Sequence, residues 1–306
     1  MCTYNTALPY YQIIYHLLLE LLGFMTKKIV ITAFSRHALP KPHQHGFSLF
    51  EAAVVLTIIG ILITGVMLGK DLLTASKHRN IATKAYEYVD AVEKFQDKFQ
   101  ALPGDMPHAT RLWGRADGHA SVEQQCASPA LNNSNPQGTC NGDGDGSIAR
   151  HASPLTVYEM FRAWQQLSLG GYIQGNFTGI AGTNGWFHAQ AGSNIPASDV
   201  RASGYDLVYL DESSLTARHF TGINYNHVLH FGRNQTGNNL AHGVTIPVVE
   251  ARNIDKKFDD AMPGMGKIVA FTDTSCVTTP VASSADYIRN AQKEVRHCAL
   301  MFITGF

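Results

Sequence analysis

One block of the hydropathy pattern dominates the chain: residues 52–69, AAVVLTIIGILITGVMLG, carry no charge. With Phe47 to Phe50 in front, the apolar run extends over Phe47–Gly69 and only Glu51 interrupts it. As a helix, that run is about 35 Å long, enough for a bilayer core of about 30 Å. A buried core helix is the competing reading, but such helices seldom run this long without a polar face. Beyond Gly69 the pattern becomes amphipathic. Ile81, Ala85, Tyr88, Val92, Phe95 and Phe99 recur every three or four residues, with Lys84, Glu87, Asp90, Glu93, Lys94 and Asp97 between them. That spacing predicts one apolar stripe on a continuous helix, roughly 80 Å from Phe47 to Phe99. A short coiled coil is the alternative, and Leu102-Pro103-Gly104 terminates the helix in either case.

The remaining pattern is mixed. Residues 115–152 are dense in Gly, Asn, Ser and Asp and read as loop, with Asn132-Asn133-Ser134-Asn135-Pro136 as turn chemistry. Ser153-Pro154 predicts a helix start, Val157, Met160, Phe161, Trp164 and Leu167 its apolar face, and Gly170-Gly171 its end. Strands are predicted at Tyr205–Asp211, Val228–Phe231, Val244–Val249, Gly266–Thr272 and Cys298–Thr304. A further helix spans Glu250–Asp260 and stops at Pro263-Gly264. The predicted fold class is α+β: a long N-terminal helix packed on a mainly antiparallel sheet, with loop embellishments.

Charge then separates the two ends. The 306 residues contain 24 Lys and Arg against 24 Asp and Glu. Residues 1–46 hold Lys27, Lys28, Arg36 and Lys41 against Glu20 alone, net +3, so residues 47–306 net −3. Positive charge before a first span keeps that end in the cytoplasm and sends the rest across. A net-negative head gives no general drive toward DNA. No small-x-small cleavage site follows Gly69, because Lys70 and Asp71 lead into the amphipathic pattern, so the span is expected to be retained.

At the front of the span stands His45-Gly46-Phe47-Ser48-Leu49-Phe50-Glu51. This stretch resembles the type IV pilin and type II secretion pseudopilin family, whose signature is a Gly, an aromatic residue that becomes N-methylated, and a Glu four places later. The resemblance implies a leader of residues 1–46, cleavage between Gly46 and Phe47 by a prepilin peptidase, and methylation of the new Phe47 amine. It also implies that Glu51 pairs with the free amine of a neighbouring subunit during filament assembly. Independently, a carboxylate in an apolar span is costly unless paired, which marks Glu51 as functional. Family leaders are usually short, and Met25 is a second candidate start that leaves 22 residues before Phe47. The run Ala101-Leu102-Pro103-Gly104-Asp105-Met106-Pro107, with Ala109-Thr110 and Trp113-Gly114, resembles a subgroup of large pilin-like proteins. Ile254–Asp260 resembles a recurrent element of their heads, and its acids read as a solvated helix end.

The head offers little catalytic chemistry. G-x-S-x-G, H-E-x-x-H and G-x-x-x-x-G-K are all missing from the sequence. His227 and His230 would face opposite sides of a strand. Cys126, Cys140, Cys276 and Cys298 are an even set on a translocated domain, which favours two disulfides, and the sequential pairing closes the shortest loops. Asn141-Gly142-Asp143-Gly144-Asp145-Gly146-Ser147-Ile148 places oxygen ligands at alternate positions, like the front half of a calcium loop. Ala152 falls where such a loop supplies a Glu, and Glu159 on the next helix is the substitute; a Gly-rich turn beside a disulfide is the plainer reading.

The expected organisation is a leader over 1–46, a membrane and assembly helix over 47–100, and a pilin-like head over 101–306. The resemblance implies a structural subunit, minor because the processed chain is large, in an inner membrane with its head in the periplasm and then in a filament or at the cell surface. Its implied partners are other pilin or pseudopilin subunits, a prepilin peptidase/N-methyltransferase, an inner-membrane assembly platform and lipid. An adhesin or DNA-uptake receptor is the alternative, and a membrane-anchored periplasmic enzyme is a third reading.

Overall fold

A computed structural model describes residues 48–121, 126, 133–149, 159–184, 187–234, 240–272, 275–289 and 295–306. The expected leader over 1–46, the expected cleavage site at Gly46 and Phe47, the expected helix start at Ser153-Pro154 and Trp186 lie outside these described residues. Two compact units divide the chain, residues 1–62 and 63–306.

Helix α1 spans Leu49–Phe99 without interruption. In the first unit its side chains stand largely exposed: Leu49 is 89% exposed and Leu62 62%. The helix is long and apolar enough to cross a membrane, and none of its most apolar window is buried. From Ile63 onward the helix belongs to the second unit, where Leu68 and Leu73 are still exposed and only the last third behaves oppositely. Ile81, Ala85, Val92 and Phe95 of the stripe are buried, and Tyr88 and Phe99 are half-buried. The helix stops at Gln100, which adopts a left-handed φ of 55° just before Leu102-Pro103-Gly104.

In the second unit, a short helix α2 (Ala109–Trp113) follows, then α3, described over Glu159–Leu169. Strand β1 (Ser203–Leu210) pairs with β2 (Asn226–Arg233) over eight residues. After β3 (Ile246–Pro247) come α4 (Val248–Phe258), β4 (Ile268–Ala270), β5 (Arg296–Cys298) and β6 (Leu300–Ile303). The main sheet has the order β1-β2-β6-β4, antiparallel throughout, while β3 and β5 form a separate antiparallel pair. The fold is α+β.

Alternation decides which residues meet α1. Tyr205 and Leu207 share one face of β1, and the Tyr205 hydroxyl donates to the Ile81 carbonyl at 3.1 Å. Tyr88 of α1 stands edge-on to both Tyr205 and Trp164 of α3, with ring centroids 5.2 Å apart in each pair. The core is therefore an aromatic layer between helix and sheet. The opposite face of β1 carries Asp206 and Val208, both buried, and Asp206 accepts from the Ala241 N–H at 2.6 Å.

Two predicted strands differ from the structure. Val244–Val249 reduces to Ile246–Pro247, because Pro247 has no N–H for a ladder and its φ of −65° leads directly into α4. Cys298–Thr304 divides at Ala299, with Cys298 opposite Ile246 and Leu300–Ile303 in the main sheet.

Candidate functional site

Three places carry the chemistry-bearing residues. The first is the start of α1. The Ser48 N–H donates to Glu51 Oε2 at 3.1 Å, and the Phe50 N–H donates to Ser48 Oγ at 3.1 Å. This reciprocal arrangement is a capping box, and it satisfies two N–H groups that the first helical turn leaves without partners. Glu51 is thus engaged at the mouth of the apolar helix, on its exposed surface.

The second place is the 141–149 loop. Asn141 is buried, and its Oδ1 accepts from both the N–H and the hydroxyl of Thr110, each at 2.9 Å, anchoring the start of α2. Asp145 Oδ1 closes a turn onto the Ser147 N–H and hydroxyl, both at 2.7 Å. Neither joins the acid group that the fold assembles. That group is Asp105, Asp143 and Glu159, whose carboxylate oxygens lie within 4.8 Å of one another. Asp105 is 3% exposed and receives the N–H groups of Gly144, Asp145 and Gly146 at 2.7–3.1 Å. Glu159 is 2% exposed and accepts from the N–H groups of Asp143 at 3.2 Å and Ala149 at 2.9 Å. Burial, reinforced by the neighbouring acids, pushes the Glu159 carboxyl up to about 8 and that of Asp105 up to about 6.

Glycine makes this approach possible. A Cβ on Gly142 would lie 2.2 Å from the Asp105 backbone, and one on Gly104 would lie 2.3 Å from the Glu159 carbonyl oxygen. Asp105 carries no ligand pattern of its own in the sequence. The signal available was its position in the Pro103-Gly104-Asp105 turn; its partners lie 39–41 residues downstream. The set fits a divalent cation in part. Oxygens this close can share one ion at the usual 2.3–2.6 Å, but three carboxylates alone fall short of calcium's six to eight ligands.

The third place is the buried polar interior. His227 and His230 point to opposite faces of β2. His230 Nδ1 lies 2.8 Å from Asp206 Oδ1, directly across the β1–β2 register, and both side chains are buried. Phe271 stands against His230 at 5.2 Å, so this dyad is closed to a substrate. At the end of α4, Asp255 is fully buried rather than solvated, accepting from the Tyr287 hydroxyl at 2.8 Å and the Ala261 N–H at 3.0 Å. Burial pushes its carboxyl up to about 7. Asp259 and Asp260 are half-buried and exposed, as a helix end allows. Cys126 is bonded to Cys140 and Cys276 to Cys298, with Cα atoms 5.5 and 5.1 Å apart.

Residues 41–67 match the family model described as the prokaryotic N-terminal methylation motif. The chain carries the pilin and pseudopilin signature. The matched span covers Gly46, Phe47 and Glu51 and ends inside α1, so it coincides with the exposed apolar part of the helix. It supports a type IV pilin-like or pseudopilin precursor and implies processing by prepilin peptidase and assembly with other pilin subunits. Proteins with this motif are generally structural subunits, and the long apolar helix fits membrane anchoring. No curated protein and no solved structure matches the chain.

Proposed function

We propose that the protein is a minor structural subunit of a type IV pilus or type II secretion pseudopilus. It is cleaved between Gly46 and Phe47, methylated at the Phe47 amine, held in the inner membrane by α1 with its head in the periplasm, and assembled through Phe47 and Glu51. The observation that carries this reading is the methylation motif at the head of an exposed apolar helix. The 260 residues left after cleavage support a minor position, since a repeating major subunit is usually smaller. Mass spectrometry of the N-terminus, with and without prepilin peptidase, tests the reading: methylated Phe47 is expected, and an uncut chain refutes it. Glu51→Ala should then block incorporation into filaments while leaving cleavage intact.

We further propose that the acid group binds calcium through Asp105, Asp143 and Glu159, with water completing the shell. Asn141 and Asp145 shape the loop instead of ligating. The support is the convergence of three carboxylates from segments far apart in sequence. Titrating the full chain with Ca2+ by calorimetry tests it, and Glu159→Gln should abolish the binding heat.

A further inference from the structure

His227 is 3% exposed and joins three segments of the head. Its backbone carbonyl accepts from the Thr304 N–H at 3.2 Å and the Thr304 hydroxyl at 2.8 Å. Its Nε2 accepts from the Ile148 N–H at 3.0 Å, and its Nδ1 lies 3.0 Å from the Phe306 carbonyl oxygen. A backbone N–H can only donate, so Nε2 must present its lone pair. The ring proton therefore sits on Nδ1 and points at Phe306, a tautomer set by both partners. The rings of Tyr209 and Phe306 lie tilted against it, with centroids 5.1 and 5.3 Å away.

Both captured segments matter to the packing around them. Ile148 ends the acid loop, and its carbonyl accepts from the Tyr209 N–H, which fastens the loop to β1. Phe306 borders Tyr88 and Val92 of α1 and Leu207 and Leu229 of the sheet. It also forms part of the wall of a cavity of about 460 Å³ beside Phe99, Leu102 and Met106. It occupies the seam between the buried part of α1 and the sheet.

We propose that His227 is a proton-operated latch: neutral, it holds Ile148 on β2, and protonated, it releases Ile148 while its Nδ1–H keeps the Phe306 carbonyl and its backbone carbonyl keeps Thr304. The proton would enter at Nε2, turning an acceptor into a donor that faces the Ile148 N–H. The groups facing the ring are Tyr209 from β1, the Phe306 carbonyl from the final segment, and Asp145 from the 141–149 loop. The Phe306 carbonyl and Asp145 favour the charged ring, but burial outweighs them and holds the imidazole below its usual 6.5. Above about pH 6.5 the ring is neutral whether the latch is open or closed, and the latch is fully effective. As pH falls below that value the open state takes up the proton first, so closure weakens until the ring of the closed state also protonates.

Hydrogen exchange on the full chain in detergent, from about pH 7.5 to 5, tests this after correction for intrinsic rates. Amides of 147–149 should lose protection below about pH 6, by up to about tenfold per pH unit, while those of 304–306, Leu207 and Leu229 stay protected. His227→Gln keeps a donor and an acceptor but does not titrate, so its exchange should not change across this range. Flat exchange in the wild type, or the same acid response in His227→Gln, overturns the proposal. Should the variant fail to fold, imidazole ¹⁵N shifts of the wild type decide alone. A proton on Nδ1 with a midpoint below 6.5 supports the latch, and a proton on Nε2 or a midpoint at or above 6.5 refutes it.

Discussion

At the scale of single residues, Glu159 has the most measurable consequence. Its carboxyl, near 4.5 when unfolded, is raised to about 8 by burial, with Asp143 and Asp105 adding to the rise. Between those values the unfolded chain gives up a proton that the folded chain keeps. The stabilising effect is therefore complete below about pH 4.5 and is lost as pH rises through about 8. Thermal melts should show Tm falling from about pH 6 to 9 in the wild type and falling less in Glu159→Gln. Millimolar Ca2+ should restore the wild type at about pH 8 and leave the variant unchanged. Melts with the same slope in both proteins would refute this assignment. The sequence offered Asp143 and Asp145 as candidate ligands, with Glu159 as a substitute, but no role for Asp105. Alternate acids in a Gly-rich run are a local pattern; the pairing of Asp105 with N–H groups 39–41 residues away is not.

At the scale of elements, α1 is one helix with two environments. The exposed part needs only an uncharged sequence, and a lipid or protein partner can satisfy it. The buried part must match aromatic neighbours on the head. Phe95 is fully buried among Phe99, Trp113 and Tyr172, with ring centroids 4.6–6.3 Å away. Phe95→Ala should destabilise the head by about 3–5 kcal/mol, whereas Leu62→Ala should change it by about 0.5 kcal/mol or less. Denaturant melts of the full chain in detergent, followed by tryptophan fluorescence, separate the two. Both halves of α1 were legible because helical periodicity is local. The strands were less so. Pro247 within the run Val244–Val249 argues against a full strand, but the bulge against β5 and the immediate turn into α4 depend on partners far along the chain.

At the scale of the whole molecule, the two disulfides stabilise different regions. Cys276–Cys298 lies in the main core, and Cys298 pairs across to Ile246. Cys126–Cys140 lies with Ala116 in a small cluster of its own. Cys276–Cys298 spans 22 residues and Cys126–Cys140 spans 14, so each should contribute about 3 kcal/mol, or roughly 6–12 °C in Tm. Melts of Cys276→Ser/Cys298→Ser and Cys126→Ser/Cys140→Ser double variants check this, and an unchanged Tm in both would refute it. The sequence by itself determined the methylation motif, the apolar helix behind it and the opposite charges of residues 1–46 and 47–306. Each of these depends on neighbours within a few turns or on a simple count. Tertiary structure alone decided the Asp105–Asp143–Glu159 group, the Asp206–His230 pair and the grip of His227 on Ile148 and Phe306. Those contacts join residues 16 to 79 positions apart, and only a folded sheet with its loops can bring them within hydrogen-bonding distance.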